Sequence, residues 1–164
     1  MKPDQAKAVA EVVGQGIQGE WMHTYKAINA VPDAKKDYKP EPNSRSAWEL
    51  AHHIAICDVG FLHAVAANDF SVFPAKCDAK TIPDLVTWYK TEMPKALEKV
   101  LTLDGNHFSQ IVENWGMKLP SVSYLMFCNN HMIHHRGQLT TYLRPMGGKV
   151  PAMYGESFDE KHSG

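Results

Sequence analysis

The stretch "HMIHHRGQLTTYLRPMGG", His131 to Gly148, decides how the rest of the chain is read. It carries no helix breaker until Pro145 and the Gly147-Gly148 pair, which cannot continue a helix. Upstream, Pro120 marks the start, so the spacing predicts a helix from Ser121 to about Arg144. On it His131 and His135 stand four residues apart and share one face, where both can bite a single ion. His134 is rotated from His135 by about 100°. Imidazole suits zinc, nickel, copper and iron, and an H-x-x-x-H pair delivers two ligands from one rigid element.

Two ligands rarely hold a metal, and the other dense histidine site is "ELAHHIA", with His52 and His53. Ser46 and Glu49 there form a capping box, the serine bonding forward and the glutamate reaching back. The helix they open, "AWELAHHIAICDVGFLHAVAA", extends to about Ala67, where Asn68 and Asp69 close it. Its histidines lie near its start, whereas His135 lies near the end of the last helix. Antiparallel packing of the two helices therefore brings the histidines level, and a three-histidine site becomes geometrically possible.

Two further helices complete the set. Val9, Val13, Ile17, Trp21, Tyr25 and Ile28 recur at three or four residues and predict a core stripe on a first helix. Gly14, Gly16 and Gly19 weaken that segment locally, by up to about 1 kcal/mol each, and it ends at the linker "AVPDAKKDYKPEPNS". Thr81 and Asp84 cap a third helix to about Leu103, with Pro83 tolerated in the first turn and Pro94 expected to kink or break it. "FSVFPAKCDAK" is long enough for a crossover, and "DGNHFSQIVENWGMKLP" is expected to be a loop or a short irregular piece. With no strand-like alternation, the expectation is an all-α four-helix bundle.

At 164 residues, 44% hydrophobic and 21% charged, the chain fits one domain over residues 1–164, with 145–164 a C-terminal tail packed on the bundle. A net charge of −1 leaves no field for polyanions, and Lys35, Lys36 and Lys39 sit among prolines, so nucleic acid is not expected as a partner. No stretch is read as approaching the roughly 20 apolar residues of a membrane span, and no signal-peptide pattern opens the chain. A cytoplasmic protein is expected, in keeping with three widely spaced cysteines, Cys57, Cys77 and Cys128, that spell neither a disulfide framework nor a zinc knuckle. His23, His63, His107 and His162 are read as surface or packing residues.

The segment "NHMIHHRGQLTTYLRPMGGKVPAMYGESFDE" resembles the C-terminal signature of the DinB/YfiT-like proteins of the DinB superfamily, down to Val150, Pro151, Tyr154, Gly155 and the acidic Asp159 and Glu160. The order of capped helix, "L-x-H-H-I", third helix and H-x-x-x-H helix is similar along nearly the whole chain, weakest over residues 68–120. The resemblance implies an up-down-down-up four-helix bundle and a homodimer. It also implies a divalent transition metal, zinc or nickel first and iron next, held by His53, His131 and His135. The choice of His53 over His52 follows the family's histidine directly before an aliphatic residue, here Ile54.

Three neutral imidazoles leave an ion its full charge and an open position, as in catalytic sites. Such an ion can activate water for hydrolysis or deprotonate a bound thiol. The family's similarity to enzymes using a low-molecular-weight thiol favours a thiol-dependent S-transferase acting on a small molecule. A metal-dependent hydrolase is the alternative, weakened because H-M-I-H-H lacks the glutamate of H-E-x-x-H. A non-catalytic metal- or ligand-binding stress-response protein is the third reading. Around the centre, Gln138 or a backbone carbonyl is expected as the acceptor for a ligating histidine, and Glu49 is read as a cap before it is read as a base. Arg136 and Arg144 are either anion readers or dipole partners, and Tyr154 either reaches the pocket or pins the tail. Cys57 and Cys128 are expected about one turn from the metal as small buried hydrophobes.

Overall fold

A computed structural model describes residues 1–161; His162 lies outside the described residues. Four long helices carry the fold: α1 (Pro3–Asn29), α2 (Ala47–Ala67), α3 (Ile82–Leu101) and, after a short α4 (Gly105–Ser109) and a hairpin of β1 (Ile111–Asn114) and β2 (Met117–Pro120), α5 (Ser123–Leu143). Local chemistry sets the boundaries. The Ser46 hydroxyl accepts from the Glu49 N–H at 3.1 Å while the Glu49 carboxylate accepts from the Ser46 N–H at 2.6 Å, so both orphan donors are satisfied. Thr81 accepts from the Asp84 N–H at 3.2 Å in the same manner, and Asn68 ends α2 in the left-handed region at φ 52°.

Each long helix packs on two others, α1 and α2 both touching α3 and α5. Directions follow from the side-chain pairs. Cys128 on α5 reaches Asp58 on α2, and His135 reaches His53, so those two helices are antiparallel. Trp21 lies on Tyr89, while Gly14 faces Leu101, so α1 and α3 are antiparallel too. Arg136 meets Glu20, and Asn129 faces Gly16, so α1 and α5 run parallel. The order is up, down, down, up. It requires the 68–81 connection to travel back along α2, and it does: Phe73 packs on Phe61, the Ala75 N–H donates to the Ile56 carbonyl at 3.0 Å, and Cys77 lies beside His52.

The interior is filled by Ile17, Ile28, Leu50, Ile54, Leu62, Leu85, Met93, Leu125 and Met132, with the rings of Tyr89, Tyr124 and Phe108 fully buried among them. The α1 stripe differs from the sequence reading. Ala6, Ala10, Gly14, Ile17, Thr24 and Ala27 are buried, whereas Val9, Val13, Trp21 and Tyr25 sit half-buried on its flank. Small residues face inward because α3 comes close: a methyl on Gly14 would stand 2.5 Å from Leu101 Cδ2.

Three other expectations are corrected or narrowed. Pro94 lies within an uninterrupted α3, so the break, one of the two outcomes expected of it, does not occur; the buried face of Met93, Ala96 and Leu97 holds the helix through the one hydrogen bond that proline removes. The segment before α5 is an antiparallel hairpin pairing Asn114 with Met117, not a loop. Its two-residue turn, Trp115-Gly116, has φ of 51° and 74°, the sign pattern of a type I′ turn. The strands are only four residues each, and Trp stands where Asn or Asp would signal the turn, so periodicity had nothing to register. Lastly, α2 is long and apolar enough by length and mean hydropathy to cross a membrane, contrary to the reading of the sequence. Of its apolar window 67% is buried inside the bundle, because α2 is covered by α3, by α5 and by the 68–81 connection.

Candidate metal centre

His53 lies two turns into α2, and His131 and His135 lie on the facing side of α5. The α2–α5 packing points all three Nε2 atoms at one another: His53 to His131 is 3.1 Å and His53 to His135 is 3.3 Å. One ligand atom from each of the three falls within 4.8 Å of those of the other two. At metal–nitrogen bonds of about 2.0–2.1 Å, neighbouring ligands sit roughly 3.3 Å apart on a tetrahedral ion and roughly 3.0 Å apart on an octahedral one. The two spacings are those of adjacent ligands on a common ion.

The far side of each ring is held as well. The His135 Nδ1–H donates to Gln138 Oε1 at 2.7 Å, so of the two acceptors the sequence offered it is Gln138 that holds this ring. His131 Nδ1 meets Asp58 Oδ1 at 2.9 Å, and the Tyr89 hydroxyl donates to the other carboxylate oxygen at 3.0 Å. Cys57 Sγ sits 3.4 Å from His53 Nδ1. With Nδ1 carrying the proton, every ring offers its Nε2 lone pair inward, the tautomer a ligand requires. Three lone pairs facing inward at these distances cannot hydrogen-bond to each other, so the donor set fits a divalent cation.

Electrostatics points the same way. Burial lowers the pKa of His53 to about 4, with Arg45 and the other two histidines adding to it, and lowers that of His131 to about 4. His135 is shifted down by burial too, partly offset by Gln138. All three are neutral at pH 7 and need lose no proton to bind an ion. Asp58 is completely buried, and burial pushes its carboxyl well above the ordinary range, against the pull of the Tyr89 hydrogen bond and Arg136. A cation on the far side of His131 would offset a carboxylate charge there.

Asp58 and Tyr89 were missed in the sequence. The available signal was an acid inside the apolar run "IAICDVGFL", since a fully buried carboxylate needs a partner. His52 turns away, against the Trp48 ring and the Cys77 carbonyl, so of the neighbouring pair it is His53 that enters the cluster. Burial pushes the Cys57 thiol up to about 12 and Cys128 well above its usual range, and Cys128 reaches the Asp58 carbonyl. Neither thiol joins the Nε2 cluster. Glu49 is spent on the capping box.

Arg136 is engaged within the fold rather than held out for an anionic ligand. It is 3% exposed and pairs with Glu20 at 2.6 Å, because α1 supplies a carboxylate just where α5 presents the guanidinium. Tyr154 pins the tail, donating to Glu20 at 2.6 Å and accepting from Arg136. Arg144 likewise holds the tail through Asp159 at 2.8 Å. His107 packs as expected, its Nε2 against the Val65 carbonyl at 2.7 Å.

Comparison with known proteins bears on this arrangement. The chain is 29% identical over 142 residues to the uncharacterized protein YrdA of Bacillus subtilis (strain 168), covering 84% of this chain and 83% of that protein. It is 31% identical over 113 residues to YjoA of the same organism, covering 67% and 73%. In three dimensions it is similar to the crystal structure of the DinB-like YjoA, with a TM-score of 0.72 at 23% identity over 92% of this chain and 98% of that one. A DinB-like protein from Bacillus cereus ATCC 10987 gives 0.70 at 22% identity, over 88% and 97%. The sequence profile of the DinB family matches residues 10–162, and the chain belongs to that family.

Proposed function

We propose that this protein is a divalent-metal-dependent enzyme acting on a small-molecule thiol, in the manner of an S-transferase, with His53, His131 and His135 as the metal ligands. The observation that carries the reading is the neutral three-histidine cluster to which, among the described residues, no fourth His, Cys, Asp or Glu contributes. A site saturated by protein ligands would suit a structural ion; three ligands leave room for an outside molecule. A divalent ion bound there would supply Lewis acidity and lower the pKa of a thiol or water.

The chain's own residues favour the thiol over water. Hydrolysis needs a base on the Nε2 side. Asp58 faces Nδ1 from a fully buried position, and Glu49, one turn before His53 on α2, is held by Ser46. A thiol that ionises on binding needs no such base. His131 is oriented by Asp58 and His135 by Gln138, so both rings keep their direction while a substrate enters and leaves. Zinc or nickel suits the three imidazoles first, iron next.

Elemental mass spectrometry on protein purified without a nickel column tests this. About one divalent ion per chain is expected, lost in a His131→Ala/His135→Ala variant, with thiol-transfer activity following the metal. Negligible metal in both proteins would end the metalloenzyme reading. Metal with hydrolysis but no thiol transfer would move the assignment to a hydrolase.

A further inference from the structure

The chain has three arginines. Arg136 and Arg144 are neutralised by Glu20 and Asp159. Arg45, exposed immediately before α2, makes no ion pair or hydrogen bond among the described residues. It lines a cavity of about 300 Å³ with Ser44, Leu50, Gln138, Thr141 and Tyr142, where the start of α2 meets the end of α5. That volume is at the small end of ligand pockets.

Two features tie this cavity to the metal centre. Gln138 belongs to both: its Oε1 holds His135 Nδ1, which leaves its amide N–H groups free to donate elsewhere. Leu50 lies three residues before His53, about one helical turn. No carboxylate lines the cavity. The nearby acids are engaged, Glu41 with the Ser44 hydroxyl and Glu49 with the Ser46 N–H. The Ser44 and Thr141 hydroxyls donate to Glu41 and to the Gln138 carbonyl, which leaves the Arg45 guanidinium, the Gln138 amide and the Tyr142 hydroxyl as the donor set for a carboxylate.

We infer that the Arg45–Gln138 cavity binds the carboxylate end of the substrate, so that the thiol class proposed above narrows to anionic thiols whose sulfur reaches the three-histidine centre. This rests on the metalloenzyme reading. Carboxylate recognition, rather than phosphate, follows from the small volume and the single cation.

The test loads the full chain with cobalt(II) and titrates mercaptosuccinate against the neutral 1-thioglycerol, following cobalt absorption and binding heat. Mercaptosuccinate is expected to bind about 10–100-fold more tightly, the range of a charge-assisted hydrogen bond. Arg45→Gln should bring mercaptosuccinate down towards thioglycerol, and Arg45→Lys should recover part of the difference. Arg144→Gln, which alters a tail contact, should keep the preference. Cobalt uptake with equal affinities for the two thiols, or an undiminished preference in Arg45→Gln, would overturn the carboxylate site alone. Failure to take up cobalt would overturn the metal reading and this inference with it.

Discussion

Asp58 shows how one side chain can couple the core to the site. Its carboxylate lies between the ring nitrogen of a candidate ligand and a buried phenol, and it has no access to solvent. Orienting partners of this type are worth about 10–100-fold in metal affinity. Asp58→Asn keeps the shape but can place an N–H where His131 needs an acceptor, so zinc affinity should fall by about that factor; competition with a chromophoric chelator measures it. Unchanged affinity would mean that Asp58 serves only the core. The residue scale is also where the sequence was least informative. H-x-x-x-H is a property of one helix and was legible, whereas the Asp58–His131 contact joins residues 73 apart and no local spacing announces it.

At the scale of elements, the crossover that makes the bundle up-down-down-up depends on a bare patch of α2. A methyl on Gly60 would stand 2.8 Å from the Ala75 nitrogen and 3.0 Å from Pro74 Cα, both backbone atoms that cannot swing aside. Gly60→Ala gains helix propensity, about 1 kcal/mol at most, yet overpacking costs about 1–3 kcal/mol. The expected outcome is a net loss of stability in urea unfolding, with the largest rise in amide exchange in the 68–81 connection. A more stable variant would show that the connection can lift away. The four long helices were readable because caps and apolar periodicity are local. The hairpin was not, since its strands are held by tertiary contacts: Val112 is buried, the Tyr124 hydroxyl donates to its carbonyl at 3.1 Å, and Trp115 rests on Phe61, Phe70 and Phe73.

Across the whole molecule, gathering three imidazoles into a bundle has a cost that appears as pH dependence. His53 and His131 titrate near 4 in the folded protein against 6.5 when exposed. Between those values the unfolded chain binds protons that the folded chain refuses, so folding stability rises with pH there. In metal-free protein this stability is complete above about pH 6.5 and is lost as the pH falls towards 4. Asp58, pushed up by burial, acts with the opposite sign, its contribution fading as the pH rises through its folded value. Comparison with His53→Gln isolates the histidine term. The variant's stability should fall less steeply between pH 6.5 and 4, by about one proton per chain in the slope. Parallel curves from urea titrations at successive pH values would show that His53 is not held neutral by burial.

By itself the sequence determined the four long helices, the facing pair His131 and His135, the capping box at Ser46 and, through the family resemblance, the choice of His53. These are set by helix geometry and by short-range hydrogen bonds, which a linear string records. Only the tertiary structure decided that Asp58 stands behind His131, that Arg136 is consumed by Glu20, that small residues rather than Val9 and Val13 face the core, and that Arg45 has no ion pair or hydrogen bond among the described residues. Each depends on which helix faces which, and that is fixed by packing the whole apolar interior at once rather than by any one segment.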